Sequence, residues 1–163
     1  WSGSGKTTLI EQIIPRLTCL GLRVALVKHA HHEFDVDQAG KDSYRHRAAG
    51  CTEVLVTSAV RWALMHELRG ATELTLADAL ARLSPCDLVL VEGYKRSPIP
   101  KLEIHRPDLG KPLLLPGDRH IVGLATDRPE QFAERDVPVF TLDDYAALAT
   151  FVEARAVTTD ASH

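Results

Sequence analysis

The first eight residues of this chain carry its clearest chemical signal. They read Trp-Ser-Gly-Ser-Gly-Lys-Thr-Thr, which matches all but the first glycine of the phosphate-binding pattern G-x-x-x-x-G-K-[ST]. In such a loop, consecutive backbone N–H groups surround a phosphate, and the positive end of the following helix stabilises the bound anion. The pattern therefore predicts a site for the phosphates of a nucleotide.

The side chains of this motif have separate predicted roles. Lys6 can reach the β- and γ-phosphate oxygens, and the Thr7 hydroxyl can bind Mg²⁺. Thr8 either contacts the α-phosphate or is an ordinary polar residue of the first helical turn. We expect the missing glycine, and the strand that leads into the loop, to precede residue 1. The predicted nucleotide-binding residues of the loop are Ser2, Gly3, Ser4, Gly5, Lys6, Thr7 and Thr8.

A phosphate-loop protein also needs a carboxylate at the end of a neighbouring strand to hold Mg²⁺. Glu92 ends the apolar run 88–91, so it is the predicted magnesium ligand and, with Lys6, the predicted catalytic residue. Asp87 begins the same strand, about 17 Å away at the usual rise per residue, and is interpreted as a strand-start or turn residue. Gly93 either allows backbone to approach a ligand or is a plain turn glycine.

The polar segment 28–37, Lys-His-Ala-His-His-Glu-Phe-Asp-Val-Asp, follows a buried β-rich run. By residue types alone it is a solvated loop. Its place after a parallel-type strand favours a ligand-binding role for Asp35 or Asp37, because such sheets bind ligands at their carboxyl edge. We predict Asp37 as a further magnesium ligand. Transition-metal binding by His29, His31 and His32 stays open as an alternative.

Two further polar positions have competing interpretations. Asp127 follows the apolar strand 120–125, where a carboxylate could accept the N1–H and N2–H groups of guanine. The usual Asn-Lys-x-Asp motif is absent, and Asp127 could instead cap a helix opened by Pro129. In the segment 40–45, Asp42 or Ser43 could cap a helix, whereas the neighbouring cations could face phosphates.

Alternating strands and helices predict an α/β chain with a three-layer P-loop NTPase fold and a mostly parallel sheet. The runs 53–57 and 61–67 predict an antiparallel hairpin. We expect one nucleotide-binding domain over residues 1–156 and a disordered tail over 157–163. The predicted strands are 23–28, 53–57, 61–67, 87–92, 101–106, 120–125 and 138–140; helices are predicted from residue 6 to Gly21, over 41–49 and 75–83, briefly from 129, and over 141–155.

Composition narrows the function classes. The chain has 163 residues, 45% hydrophobic and 25% charged, with a net charge of −3, which gives no indication of nucleic-acid binding. No apolar run approaches the length of a membrane span, and no signal peptide is visible, so we expect a cytoplasmic protein. Cys19, Cys51 and Cys86 are widely spaced and are interpreted as reduced thiols, most simply packed in the core.

Five blocks follow one another along the chain: the motif at 1–8, Lys-His-x-His-His-x-Phe-Asp-Val-Asp at 28–37, Gly-Lys-Asp-Ser-Tyr-Arg at 40–45, Arg-Trp-Ala-Leu-Met at 61–65 and Val-Glu-Gly-Tyr-Lys at 91–95. Together, these blocks resemble the MobB family of molybdopterin-guanine dinucleotide biosynthesis proteins. The resemblance implies a dimeric P-loop protein that binds GTP and Mg²⁺ and hydrolyses GTP weakly. It also implies an accessory role for a MobA-type guanylyltransferase, which attaches GMP to the molybdopterin cofactor. Asp37 and Asp42 then become candidate residues at the edge of the nucleotide-binding site.

Two other functions are compatible with a phosphate loop. A metallochaperone GTPase would use the histidines, but the chain has no Cys-Pro-His or C-x-x-C element. A small-molecule kinase would usually carry an arginine-rich lid, and residues 96–119 are only mildly basic. The residues themselves do not decide between GTP and ATP.

Overall fold

A computed structural model describes residues 1–30 and 34–157 of the chain. It is an α/β structure with mostly parallel strand pairing and one antiparallel pair, which confirms the predicted fold class. The chain divides into two compact units. The first comprises 1–29 and 80–163, and the second comprises 30–79. Among the described residues, no helix combines the length and apolar character needed to cross a membrane.

The helices and strands follow the predicted order. The strands are β1 (Val24–Lys28), β2 (Glu53–Thr57), β3 (Trp62–His66), β4 (Leu88–Glu92), β5 (Lys101–His105), β6 (Ile121–Thr126) and β7 (Val139–Thr141). The helices are α1 (Lys6–Cys19), α2 (Asp42–Ala48), α3 (Leu76–Ala81) and α4 (Tyr145–Ala154), with 3₁₀ turns at Pro107–Leu109, Leu115–Gly117 and Pro129–Phe132.

All strand pairs of the first unit are parallel. Strand β1 pairs with β4, and β6 lies between β5 and β7. The apolar runs of β4 and β6 are largely buried, as expected of parallel strands that are covered on their faces. Parallel pairing places the carboxyl ends of β1 and β4 side by side, and does the same for β5, β6 and β7. These strand ends form the edge at which parallel sheets commonly bind ligands.

Helix α1 presents one apolar face to the core of the first unit. Leu9, Ile13 and Leu17 are buried at a spacing of four residues and pack with Leu148 of α4. The helix continues through Pro15 and ends in a turn in which the Gly21 N–H donates to the Thr18 carbonyl, with Gly21 at φ +86°.

The second unit contains the predicted hairpin. Strands β2 and β3 pair antiparallel, with Leu55 opposite Leu64 and Thr57 opposite Trp62. These paired residues share one face of the two-stranded sheet. On that face Leu55, Trp62 and Leu64 are all exposed, Trp62 to 66%.

Four details differ from the sequence expectations. Helix α4 begins at Tyr145 rather than 141, because the Asp144 side chain caps it by accepting from the Ala147 N–H. Helix α2 has no side-chain cap, and the Ser43 hydroxyl donates to Asp37 instead. Helix α3 is shorter than predicted, although the Thr75–Asp78 pair at its start forms as expected.

The fourth difference concerns the thiols. Cys19 and Cys51 are exposed and Cys86 is partly buried, so the expected core packing is wrong. Cys19 is the last residue of α1 and lies outside the helix's buried stripe. The single domain over 1–156 stays a prediction. Residues 158–163 of the predicted tail lie outside the described residues.

Candidate functional site

The motif at the start of the chain folds as a tight loop that ends at the first residue of α1. Gly3 and Gly5 have φ of +77° and +95°, a left-handed conformation that side chains with Cβ rarely adopt. Ser4 is buried, and its hydroxyl donates to the Trp1 carbonyl at 3.0 Å. The first N–H groups of a helix have no intrahelical partner. The loop thus delivers backbone donors and the positive helix end to one place, as anion binding requires.

Lys6 occupies the first helical position, directly after this loop. Its ammonium donates to the carbonyl oxygen of Trp1 and so folds back along the loop. A lysine at a helix N-terminus is electrostatically unfavourable for the helix. Lys6 therefore adds a positive charge beside the loop, where an anion could bind.

Glu92 lies at the carboxyl end of β4, next to Thr7 of the loop. The Thr7 hydroxyl donates to Glu92 Oε1 at 3.4 Å, and the ammonium of Lys28 lies 3.4 Å from Oε2. The Glu92 side chain is only 12% exposed. A hydroxyl and a carboxylate oxygen are hard ligands of the kind that Mg²⁺ prefers. The residues present therefore fit a magnesium ion.

These side chains surround a pocket of about 430 Å³. Within a single cavity lie the loop backbone, two ammonium groups and one carboxylate. The structure brings together the predicted loop residues and Glu92, although they are far apart in sequence. The lining residues are Ser2, Gly3, Gly5, Lys6, Thr7, Thr8, Lys28 and Glu92.

Gly93 has a structural reason to be glycine. Its φ is +99°, and a Cβ added there would lie 2.7 Å from the Cβ of His29. The His29 N–H also donates to the Glu92 carbonyl at 2.8 Å. The next residue, Tyr94, has a left-handed φ of +47° despite its side chain. The chain segments that follow β1 and β4 therefore lie in close contact directly after Glu92.

A second pocket, of about 400 Å³, lies where β6 and β7 end. It shares Gly5 and Thr8 with the first pocket, so Thr8 lines both cavities. Asp127 lines the second pocket. The remaining lining residues are Leu9, Arg106, Thr141, Leu142, Asp143 and Tyr145.

Arg106 lines the second pocket and also contacts the phosphate loop. Its Nε donates to the Ser4 carbonyl at 3.2 Å, and its Nη1 lies 3.6 Å from Asp127 Oδ2. A Cβ added at Gly5 would lie 3.4 Å from its Nη2. The sequence analysis missed Arg106, because no local pattern places a residue after β5 against the loop.

The alternative interpretation of Asp127 as a helix cap is wrong. The turn at Pro129–Phe132 has no side-chain cap. The Arg128 N–H donates to the Thr126 hydroxyl instead. Asp127 is therefore oriented by Arg106 and not by a helix terminus.

Asp37 belongs to a charged cluster of the second unit. Its Oδ1 accepts from the Ser43 hydroxyl at 2.8 Å, and its Oδ2 lies 3.4 Å from Arg47 Nε. Arg47 also contacts Asp35 at 2.7 Å and Glu67 at 2.6 Å, and the hydrogen bond from Arg47 lowers the pKa of Asp35. Arg47 thus joins three carboxylates, of which those of Asp35 and Glu67 are partly exposed to solvent.

Asp42, the other acid predicted at the nucleotide edge, is exposed at the start of α2, 3.7 Å from Arg45. Across residues 1–30 and 34–157, no group of three or more His, Cys, Asp or Glu side chains is arranged to hold a metal ion. His31 and His32 of the alternative metal site lie outside the described residues.

Comparison with known proteins identifies the family. The family model for molybdopterin guanine dinucleotide synthesis protein B, MobB, matches residues 1–127. This chain belongs to the MobB family. The matched range extends from the phosphate loop through Glu92 to Asp127, and membership confirms the family that the sequence motifs resemble.

Two curated relatives cover nearly the whole chain. The chain is 44% identical over 155 residues to the molybdopterin-guanine dinucleotide biosynthesis adapter protein of Escherichia coli (strain K12), covering 93% of this chain and 87% of that protein. It is 40% identical over 154 residues to the adapter protein of the same name from Haemophilus influenzae, with 94% and 84% covered.

Solved MobB structures have the same fold. The crystal structure of Bacillus subtilis MobB superposes with a TM-score of 0.75 at 27% identity, covering 98% of this chain and 95% of that one. A crystal structure of molybdopterin-guanine biosynthesis protein B gives 0.70 at 26% identity, with 94% of each chain covered.

Proposed function

We propose that this MobB-family chain is a GTP-binding adapter protein of molybdopterin-guanine dinucleotide biosynthesis, with weak Mg²⁺-dependent GTPase activity. The adapter role rests on family membership and on the names of its curated relatives. The nucleotide chemistry rests on one observation in particular. The phosphate loop, Lys6, Thr7 and Glu92 line a single pocket.

The phosphates occupy that pocket. Loop N–H groups and Lys6 bind the β- and γ-phosphates, while the Thr7 hydroxyl and Glu92 hold Mg²⁺. When bound, Mg²⁺ would supply positive charge to offset the charge of the phosphate oxygens. Asp37 stays a predicted third ligand, and taking that role would require its carboxylate to exchange contacts with Ser43 and Arg47.

The nucleoside extends into the second pocket. That pocket adjoins the first at Gly5 and Thr8, so a nucleotide with its phosphates on the loop can reach it. Asp127 accepts hydrogen bonds from guanine N1–H and N2–H there. Adenine has no donor at these two positions, which supports GTP as the ligand rather than ATP.

The partner proposals follow from the family. We expect the chain to bind a MobA-type guanylyltransferase and to act on the molybdopterin cofactor with it in the cytoplasm. We also expect a homodimer. The exposed apolar face of the hairpin, with Leu55, Trp62 and Leu64, supports an interface of some kind, because large exposed apolar patches often mark protein contacts.

The deciding experiment compares the affinities of the full-length protein for nucleotides that carry different bases. Calorimetric titrations with GTP, ATP and xanthosine triphosphate are made on the parent and on Asp127→Asn. We expect the parent to prefer GTP over ATP. Xanthine carries a carbonyl where guanine carries its 2-amino group, so an amide that donates at this position should bind it better. Asp127→Asn should therefore lose GTP affinity and gain xanthosine triphosphate affinity.

The other outcomes are also informative. Equal GTP and ATP affinity in the parent would contradict the base assignment. Stoichiometric Ni²⁺ or Zn²⁺ binding without nucleotide would favour the metallochaperone, and a phosphorylated product from a substrate panel would favour a kinase.

A further inference from the structure

Lys28 is the final residue of β1 and lies beside the magnesium ligand proposed above. In the parallel pairing of β1 with β4, Lys28 is the register partner of Glu92. The two strands stay paired one residue further, because the His29 N–H donates to the Glu92 carbonyl. The backbone of Lys28 is therefore fixed by the sheet at the edge of the phosphate pocket.

The side chain of Lys28 enters that pocket. Its ammonium lies 3.4 Å from Glu92 Oε2, while the other carboxylate oxygen, Oε1, accepts from the Thr7 hydroxyl. The carboxylate thus lies between the hydroxyl that would bind Mg²⁺ and the ammonium of Lys28. Lys28 itself lines the cavity, together with Lys6 and the loop glycines.

This ion pair does not explain the lysine as a stabilising residue. The Lys28 side chain is 57% exposed, and ion pairs with so exposed a member contribute little to folding. A lysine ammonium is a compact charge on a flexible stem and can shift between neighbouring anions. An anion in the pocket would therefore attract it away from Glu92 or share it.

The charge of the pocket indicates which anion Lys28 would bind. The pocket is lined by two ammonium groups and a single carboxylate. By its place in the motif, Lys6 reaches the β- and γ-phosphates from the loop side. The Lys28 ammonium lies on the Glu92 side of this pocket, 3.4 Å from Oε2. The γ-phosphate is the part of a triphosphate that extends furthest from the nucleoside. With the nucleoside in the second pocket, we place the γ-phosphate at the Glu92 end of the first pocket.

We propose that the Lys28 ammonium binds the γ-phosphate and makes the site selective for a nucleoside triphosphate over a diphosphate. This assignment rests on the proposed nucleotide-binding function. It adds a second phosphate-binding cation, carried by β1 rather than by the loop.

The test measures affinity for GDP and for a non-hydrolysable β,γ-imido analogue of GTP, in excess Mg²⁺, on the full-length protein. The variants are Lys28→Ala, Lys28→Gln and Lys28→Arg. Lys111→Ala is the matched control, because Lys111 is exposed and lines neither pocket.

We expect Lys28→Ala and Lys28→Gln to lower affinity for the triphosphate analogue by about tenfold, the size of one charge-assisted contact. Affinity for GDP should change less than about twofold, since GDP lacks the contacted group. Lys28→Arg and Lys111→Ala should resemble the parent. Thermal unfolding of each variant checks that the fold is retained. The two neutral variants should give the same result, because both remove the charge of Lys28.

The outcomes separate the two proposals. If the parent binds GTP but the neutral variants lose GDP and triphosphate affinity equally, or lose neither, the assignment of Lys28 is wrong and the proposed function stands. If the parent binds no guanine nucleotide, the proposed function fails and the Lys28 assignment fails with it.

Discussion

Replacing Lys6 by alanine removes the cation that the loop carries itself. In the structure the Lys6 ammonium donates to the Trp1 carbonyl, and Lys6 lines the phosphate pocket. A charge-assisted hydrogen bond contributes about 1.5–3 kcal/mol. Lys6→Ala should therefore weaken triphosphate binding about 10- to 150-fold.

The same change should leave the fold intact. Lys6 is the first residue of α1, where a positive charge opposes the helix dipole, and alanine is the best helix former. We expect the free energy of unfolding of the variant to equal or exceed that of the parent. A loss of binding would then report on the phosphate contact rather than on folding.

The assay is isothermal calorimetry with GTP and Mg²⁺ on the full-length parent, on Lys6→Ala and on Lys111→Ala as a charge-matched control. Chemical denaturation of each protein measures stability. Equal GTP affinity in the Lys6→Ala variant and the parent would refute the assignment of this loop as a phosphate site. An equal loss in the Lys111 control would show that net charge, and not the contact, is responsible.

Four further predictions concern the metal, the backbone, pH and turnover. Glu92→Gln should bind GTP like the parent in EDTA but lose the gain that Mg²⁺ supplies; an equal Mg²⁺ effect in titrations of both proteins would exclude Glu92 as the ligand. Gly93→Ala should lower the free energy of unfolding by about 1–3 kcal/mol in denaturant titrations, because its Cβ would clash with His29 at a left-handed φ; unchanged stability would contradict the close approach. The hydrogen bond from Arg23 lowers the pKa of Asp87 from 3.8 to about 2, so its stabilising effect is complete above 3.8 and is lost as pH falls toward 2. Asp87→Asn should accordingly have a lower free energy of unfolding than the parent near neutral pH, and this difference should shrink as pH falls from 3.8 toward 2. A stability difference that does not change with pH would contradict the role of the Arg23–Asp87 pair. Turnover of GTP by the isolated protein should be slower than about one per minute and should rise with a MobA-type guanylyltransferase, measured as phosphate release; fast multiple turnover alone would favour a self-sufficient NTPase or a kinase.

Features that depend on a short stretch of sequence could be predicted from that stretch. The loop at 2–7 is a contiguous motif whose glycines require left-handed backbone, and the structure has that conformation at Gly3 and Gly5. Glu92 follows the apolar run of β4, so the local pattern was enough to predict that it lies at the end of a strand. The local pattern also indicates Asp87 as a strand-start or turn residue; it directly precedes β4 and pairs with Arg23, which directly precedes β1.

Contacts between residues that are distant in sequence could be identified only from the folded structure. Arg106 reaches the Ser4 carbonyl from more than a hundred residues away, and Lys28 meets Glu92 because β1 and β4 pair in one particular register. The involvement of Asp37 with Arg47 was likewise invisible in the motif that contains it. The physical reason is that periodicity and turn residues act over a few neighbours along the chain. Side-chain partners depend instead on strand register and packing between elements, which are decided when the whole chain buries its apolar surface.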